Sequence, residues 1–307
     1  MDLCLYTNSV ADLPFEAALD LAARIGCRSI EIAGGGQSGA PHLDLSELLA
    51  DSTRRRDFTE AFTSRGLHIA ALNCSAWPLH PVHGPEHEQI IRDTLRLAGE
   101  LGVETVVSMS GTPGDGPGAT TIDWLFYPWP DDAMALLERQ WAIAIPFWQE
   151  MASFASAHGV RHIAFELHPL HLVFNVPTLL RMREAVGPII GANMDPSHLF
   201  WQGMDPLAVI AALGPAIQHV HLKDTGIQAE RVALAGVLDT TRFEDARDRA
   251  WVFRTVGRSH NAGWWRSFIE ALGAIGYDGP LSIENEDPYL SNVEGVEEAA
   301  AFIRPLI

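Results

Sequence analysis

The sequence lacks an excess of basic residues, and this absence limits its possible partners. Its 307 residues include 21 lysines and arginines but 39 aspartates and glutamates, which gives a formal net charge of −18 at pH 7 with histidine neutral. No run of lysine or arginine is long enough to form a local basic stripe against a phosphate backbone. We therefore expect no nucleic acid partner.

Long apolar runs and paired cysteines are also missing. The longest uninterrupted apolar stretch, residues 141–148, contains Pro146 and is far shorter than the ~20 residues that cross a bilayer. We expect no membrane span and no membrane partner. The first basic residue is Arg24, too late for a secretory signal, and the three cysteines are isolated, so we predict a cytoplasmic protein with free thiols at Cys4, Cys27 and Cys74.

The residues that are present follow a repeating strand and helix pattern. With 47% apolar and 20% charged residues, the composition is that of a globular protein. Segments with helical spacing alternate with short apolar runs, which predict strands at residues 2–7, 29–33, 68–73, 105–109, 161–168, 191–195, 218–223 and 281–286. Eight strands, each followed by a helix, predict an α/β fold, a single (β/α)8 TIM barrel domain over residues 1–307. An open doubly wound sheet is the alternative, but no glycine-rich dinucleotide motif follows the first strand.

Two predicted connections, after strands 4 and 7, are unusually long. They span residues 111–132 and about 225–261, and both leave the carboxyl ends of strands, where barrel enzymes carry their sites. Their tryptophans suit walls over a polar small molecule, and Arg254 and His260 in the second loop are candidate substrate-binding residues. The alternative is that the loops are packed excursions or an oligomer interface.

Strong metal ligands stand at the ends of the last four strands. Because side chains alternate along a strand, one face of these ends carries Glu166 and His168; His219, His221 and Lys223; and Ser282, Glu284 and Glu286. Buried carboxylates need a partner. Three converging acids, Glu166, Asp195 and Glu284, with the imidazole of His221, therefore predict a divalent cation, Mn²⁺, Mg²⁺ or Co²⁺, with Zn²⁺ possible.

Each of these positions also has a simpler explanation. A single acid could cap a helix or face solvent at a strand end, and Asp195 before Pro196 is typical of a turn that begins a helix. His198 and His219 could support the ligands, contact substrate or be satisfied polar residues at the barrel mouth. We assign His198, His219 and Glu286 as candidate substrate-binding residues.

The segments "FELHP", "NMDPSHLFWQG", "HVHLKD" and "LSIENEDP" resemble the sugar phosphate isomerase/epimerase family of xylose isomerase-like barrels. That family includes ketose 3-epimerases, inosose dehydratases, C-glycoside deglycosidase large subunits and, more distantly, endonuclease IV. The resemblance is strongest from residue 161 to residue 307. It implies Glu166, Asp195, His221 and Glu284 as metal ligands and His198 as a substrate contact.

Such a site suits removal of a proton next to a sugar carbonyl. The resemblance implies that Glu166 and Glu284 flank the substrate, one removing the proton and the other returning it. Lys223 or His168 could polarise the carbonyl or protonate a leaving group. Return of the proton gives an isomerase or epimerase, which is the leading hypothesis, with one Mn²⁺ as cofactor.

Three other functions remain open at this point. The first is a lyase on an oxidised sugar: an inosose-type dehydratase, or a 3-keto-glycoside or C-glycoside deglycosidase with a small partner subunit. A DNA-repair endonuclease is disfavoured by the acidic charge and by missing histidine ligands. The last is a non-catalytic carbohydrate binder, and for all of them we expect a homo-oligomer.

Overall fold

Eight strands form a closed parallel barrel, as the sequence predicts. The computed structural model describes all residues from Met1 to Ile307. In chain order the strands are β1 (Asp2–Tyr6), β2 (Ser29–Gly36), β3 (His68–Ser75), β4 (Thr105–Ser108), β5 (His162–Glu166), β6 (Ile190–Met194), β7 (Ile217–Leu222), β8 (Asp224–Ile227), β9 (Trp251–Arg254) and β10 (Pro280–Ile283). The barrel order is β1-β10-β7-β6-β5-β4-β3-β2, while β8 and β9 pair separately as an antiparallel two-stranded sheet.

Eleven α-helices lie between and after these strands. They are α1 (Phe15–Ile25), α2 (Leu45–Ala50), α3 (Ser52–Thr63), α4 (Gly84–Leu101), α5 (Asp131–Ala157), α6 (Val176–Val186), α7 (Pro196–Trp201), α8 (Pro206–Leu213), α9 (Ala229–Ala235), α10 (Ala262–Ala274) and α11 (Asn292–Ile303). Left-handed glycines end α1 at Gly26 and α4 at Gly102, where a residue with a Cβ would be strained. Capping boxes begin α6 at Asn175 and α11 at Ser291.

The chain divides into two compact units. The first comprises Met1–Glu31, Ala61–His68 and Met194–Ile307. Within it, Cys4 of β1 pairs with Ser282 of β10, and Ser282 pairs with His221 of β7. The register therefore places Ser282 beside His221, and Lys223 and Glu284 lie two residues further along their chains.

The second unit comprises Ile32–Glu60 and Ile69–Asn193. Its strands β3 to β6 are in continuous register, so that Val106 of β4 pairs with Ile163 of β5 and Ile163 pairs with Ile190 of β6. The small residues Ala71, Val107 and Ala164 form a buried cluster. The middle of each of these strands is apolar, as in Ile163–Phe165 of β5, which fits parallel strands covered on both faces.

The predicted strands and the observed ones differ mainly at their ends. We expected strand 5 to reach residue 168 and strand 8 to reach residue 286, but β5 ends at Glu166 and β10 ends at Ile283. The residue pattern continues beyond both ends, and after β10 the backbone N–H of Glu284 still donates to the carbonyl oxygen of Leu222 in β7 at 3.2 Å. The connection after β7 contains β8, α9 and β9, which the sequence analysis did not identify. The assignment of residues 1–307 to one domain stays a prediction. None of the helices combines the length and apolar character needed to span a bilayer.

Candidate metal centre

Three predicted ligands of the first unit meet in a buried cluster. Asp195 directly follows β6, His221 lies in β7, and Glu284 directly follows β10. Each offers one ligand atom, and these atoms lie within 4.8 Å of one another. All three side chains are buried. Two carboxylates and an imidazole are donors that suit Mn²⁺, Co²⁺ or Zn²⁺, so the residues present fit a divalent cation.

Asp195 combines the two explanations that the sequence left open. Its Oδ1 accepts a hydrogen bond of 2.8 Å from the backbone N–H of Ser197, so it is the N-cap of α7. Its Oδ2 accepts a second bond of 2.8 Å from Ser197 Oγ and lies 3.4 Å from His198 Nε2. The helix start therefore orients the carboxylate within the cluster.

His221 lies between two carboxylates. Its Nδ1 is 3.0 Å from Glu284 Oε2, and its Nε2 is 3.0 Å from Glu31 Oε2. Burial by itself lowers the pKa of His221, but Glu31 and Glu284 raise it well above its ordinary value. Each ring nitrogen of His221 faces one of these carboxylates, and a nitrogen that carries a proton has to lose it before it can bind a cation.

Sequence reasoning missed Glu31. This carboxylate is fully buried in β2 and accepts hydrogen bonds from His219 Nε2 at 2.8 Å and Ser282 Oγ at 2.6 Å, in addition to its contact with His221. Burial by itself raises its pKa, but His221 and His219 lower it to well below its usual range. The signal was present, since Glu31 is the one charged residue in the segment "SIEIAGGG".

Lys223 is a buried cation among these acids. It is 2% exposed, and its Nζ lies 3.2 Å from Glu284 Oε2, contacts Glu286 Oε2 and stands 4.2 Å from the centre of the Phe253 ring. Burial by itself raises the pKa of Glu284, but the charges of Lys223 and His221 lower it to well below its usual value. Lys223 is also the only lysine in the chain, a signal that the sequence analysis did not use.

The predicted substrate-binding residues have different surroundings. His198 is buried, and burial followed by the charge of Lys223 keeps its pKa well below the ordinary value. His219 is buried against Glu31, whereas Glu286 is exposed apart from its contact with Lys223. Their roles toward substrate stay predictions.

Arg254 and His260 each pair with a buried carboxylate. Arg254 Nε donates to Asp287 Oδ2 at 2.9 Å. His260 Nδ1 lies 2.6 Å from Asp224 Oδ1, and its ring stacks on Phe200 at 3.9 Å. These pairs fix the two side chains within the connection that follows β7.

Glu166 and His168 belong to the second unit. Glu166 is the last residue of β5, pairs in register with Asn193 and is buried. His168 is half-buried, with Nδ1 at 2.6 Å from the carbonyl oxygen of Pro169 and its ring 5.5 Å from that of His171. His171 Nδ1 in turn accepts a bond of 3.1 Å from the N–H of Gly111, which ties the segment after β5 to the one after β4.

Comparison with known proteins agrees with the barrel fold. The family described as xylose isomerase-like TIM barrel matches residues 19–306, and the chain belongs to this family. The uncharacterized protein YfiH of Bacillus subtilis (strain 168) is 41% identical over 311 residues, covering 100% of this chain and 99% of that protein. An inosose dehydratase of Geobacillus thermodenitrificans (strain NG80-2) is 26% identical over 255 residues, covering 80% of this chain and 78% of its own.

Solved structures share the fold at lower sequence identity. The IOLI protein with a binding zinc atom aligns with a TM-score of 0.68 at 20% identity, over 100% of this chain and 98% of its own. A D-psicose 3-epimerase in the presence of D-fructose aligns with a TM-score of 0.64 at 15% identity, over 100% and 99%. At these identities the likeness shows the fold alone.

Proposed function

We propose that this protein is a divalent-metal-dependent isomerase or epimerase of a carbohydrate, which removes a proton next to a sugar carbonyl through an enediolate. The observation that carries the proposal is the buried cluster of Asp195, His221 and Glu284, whose ligand atoms lie within 4.8 Å of one another. Burying two carboxylates close together is costly unless positive charge compensates them, and a bound cation would supply that charge.

Glu166 is the proposed fourth ligand. It is a buried carboxylate at the carboxyl end of β5 in the closed barrel, the end at which Asp195 and Glu284 follow their own strands. Three carboxylates and one imidazole form an oxygen-rich donor set, for which we propose Mn²⁺, with Mg²⁺, Co²⁺ and Zn²⁺ as the other candidates. The bound cation would supply positive charge to a sugar carbonyl and its neighbouring hydroxyl.

The proposed proton transfers use the glutamates. One of Glu166 and Glu284 removes the proton and the other returns it to the opposite face of the sugar. Lys223 or His168 polarises the carbonyl, because an ammonium group or an imidazole N–H can donate a hydrogen bond to the developing oxyanion. His198, His219, Glu286, Arg254 and His260 are the proposed substrate-binding residues.

Metal analysis combined with solvent exchange tests this function. Ketoses, inososes and 3-keto-glycosides are incubated with the protein and Mn²⁺ in deuterated water, and incorporation of deuterium next to the carbonyl is measured. We expect exchange with at least one compound, and loss of that exchange in Glu166→Gln and Glu284→Gln. His221→Ala should also lower bound metal. Near-normal exchange in two of these variants would contradict the assignment.

A lyase on an oxidised sugar is the second candidate, and Lys223 is the observation that favours it. Elimination removes the proton next to the carbonyl and breaks the C–O bond at the β-carbon. The buried ammonium of Lys223 would transfer a proton to the departing hydroxyl, which leaves as water. The inosose dehydratase among the relatives supports a reaction of this class. Formation of an unsaturated product, rather than an epimer, would identify the lyase.

Assembly and location are proposed with the function. We propose a homo-oligomer, with a small partner subunit in the case of a deglycosidase, and a small carbohydrate or glycoside as substrate. A cytoplasmic location is supported by Cys4, Cys27 and Cys74, which are all buried and unpaired. Mass determination in solution and fractionation of cells test these two points.

A further inference from the structure

We infer that Glu31 is a positioning residue for the metal centre: it holds the Nε2 proton of His221 and so presents Nδ1 of that ring as the metal ligand. The inference rests on the proposed function, because it concerns how the chain prepares one ligand for the cation. It assigns a role to a residue in β2, far along the chain from the strands that supply the proposed ligands.

The geometry of the His221 ring carries the first step. Its Nε2 lies 3.1 Å from Oε1 and 3.0 Å from Oε2 of Glu31, whereas its Nδ1 lies 3.0 Å from Oε2 of Glu284. An ionised carboxylate only accepts hydrogen bonds, so the ring nitrogen that faces Glu31 is the donor. Glu284 is itself a proposed ligand, so the other nitrogen faces the position of the cation.

The surroundings of Glu31 carry the second step. Its Oε2 also accepts from Ser282 Oγ at 2.6 Å and from His219 Nε2 at 2.8 Å. The side chains of Glu31, His219 and His221 are at most 1% exposed, so water does not compete for these bonds. Donors thus surround the carboxylate and fix its orientation, and this in turn fixes the plane of the His221 ring.

The chemical consequence follows from the bond between carboxylate and imidazole. A histidine that donates one ring N–H to a carboxylate is a more basic ligand through its other nitrogen and is held in one tautomer. Among the residues of β2, only Glu31 can provide this, because the rest of the strand is apolar or small. The same cluster of Glu31, His219 and His221 could hold an ion by itself, but its bonds are already satisfied by Ser282 and the two rings.

Zn²⁺ affinity and the protonation of His221 test the inference. In Glu31→Gln the side chain keeps its size but loses its negative charge, and a donating NH₂ group replaces one of the two accepting oxygens that face His221, His219 and Ser282. We expect the dissociation constant for Zn²⁺, measured by competition with a chelator, to rise by about 10- to 100-fold. The matched control is Asp224→Asn, which alters another hydrogen bond between a buried carboxylate and an imidazole, that of His260, and should leave Zn²⁺ affinity unchanged.

A measurement on the wild-type protein covers the case in which the variant does not fold. Long-range ¹⁵N–¹H correlation spectra of Zn²⁺-loaded protein should show the His221 proton on Nε2 and a coordination shift of Nδ1. A coordination shift on Nε2 would overturn the inference, as would unchanged Zn²⁺ affinity in Glu31→Gln. If the wild-type protein binds no divalent cation, the proposed function and the inference about Glu31 both fail. If the wild type and Glu31→Gln bind Zn²⁺ equally well, only the role of Glu31 is refuted.

Discussion

Replacing Lys223 by methionine should show how much the charge of Lys223 stabilises the folded protein, independently of a bound metal. The Nζ atom lies 3.2 Å from Glu284 Oε2 and contacts Glu286. At that distance the attraction to Glu284 is about 5 kcal/mol for an effective dielectric constant near 20. Methionine fills a similar volume but carries no charge, so a buried carboxylate loses its counter-ion. Breaking one side of a buried pair typically costs about 3–5 kcal/mol, because the remaining charge stays desolvated.

Thermal unfolding with and without metal measures this effect. For a chain of this size, the loss corresponds to a melting temperature lower by about 5–8 °C in metal-free protein. Saturating Mn²⁺ should narrow the difference, because a bound cation compensates Glu284 and stabilises the folded state by linkage. Turnover should fall sharply, since the variant lacks the ammonium group that is proposed to polarise the carbonyl or, in a lyase, to protonate the leaving group.

The control for this experiment is a surface ion pair. Arg258→Met removes the partner of Glu298 at 2.7 Å, where both side chains are largely exposed, and should cost no more than about 1 kcal/mol. The reasoning about Lys223 is refuted if metal-free Lys223→Met unfolds at the wild-type temperature, or if the variant loses its metal while its fold is intact.

Three further predictions concern other parts of the chain. Asp195→Asn should keep the N-cap of α7, because asparagine caps a helix as well as aspartate does, but it should weaken Mn²⁺ binding. The control is Asp205→Asn, which changes the matching Asp-Pro cap of α8 and should leave Mn²⁺ affinity unaltered. Calorimetric titration measures both affinities. Asp287→Asn should destabilise the protein by about 1–3 kcal/mol at neutral pH, since Asp287 accepts from Arg254 Nε and from the N–H groups of Thr255 and Tyr289. Burial by itself raises the pKa of Asp287, but these bonds lower it below its usual value. The stabilisation by Asp287 is therefore complete above the pKa of the unfolded state and is lost as the pH falls through the pKa of the folded state. In urea unfolding, the difference in unfolding free energy between wild type and Asp287→Asn should shrink below about pH 4, and a difference that does not depend on pH would contradict this account. Burial raises the pKa of Cys27 to about 12 and that of Cys74 to about 11, so that only about 0.1% of Cys74 is thiolate at pH 8. A thiol reagent should therefore react with no cysteine in native protein and with all three after denaturation. Rapid labelling of native protein would contradict this prediction.

Much of the fold could be predicted because its signals are local. The alternation of apolar runs with helical segments identifies all eight barrel strands, and glycines such as Gly26 and Gly102 mark helix ends. The strand ends were harder to place, because the sequence pattern of "FELHP" continues beyond the end of β5 at Glu166. The small sheet of β8 and β9 was missed, since its two strands are separated by a helix and irregular segments that mask their pairing.

The candidate ligands could be predicted for the same reason, but their partners could not. Asp195, His221 and Glu284 stand at strand ends, and the regular geometry of a barrel brings strand ends together. Glu31 lies 190 residues from His221 in the chain, and no local pattern links them. Its role became visible only once β2 and β7 were placed in one barrel.

What the sequence determined by itself is therefore the order of the strands, the residues at their ends and the excess of acidic charge. These follow from side-chain alternation and from composition, which each residue contributes independently of distant neighbours. The tertiary structure decided which nitrogen of His221 faces Glu284 and which acids Lys223 contacts. It also decided that Asp195 both caps α7 and lies in the cluster with His221 and Glu284. Those outcomes depend on atoms meeting at about 3 Å, and only the closed arrangement of strands brings such atoms together.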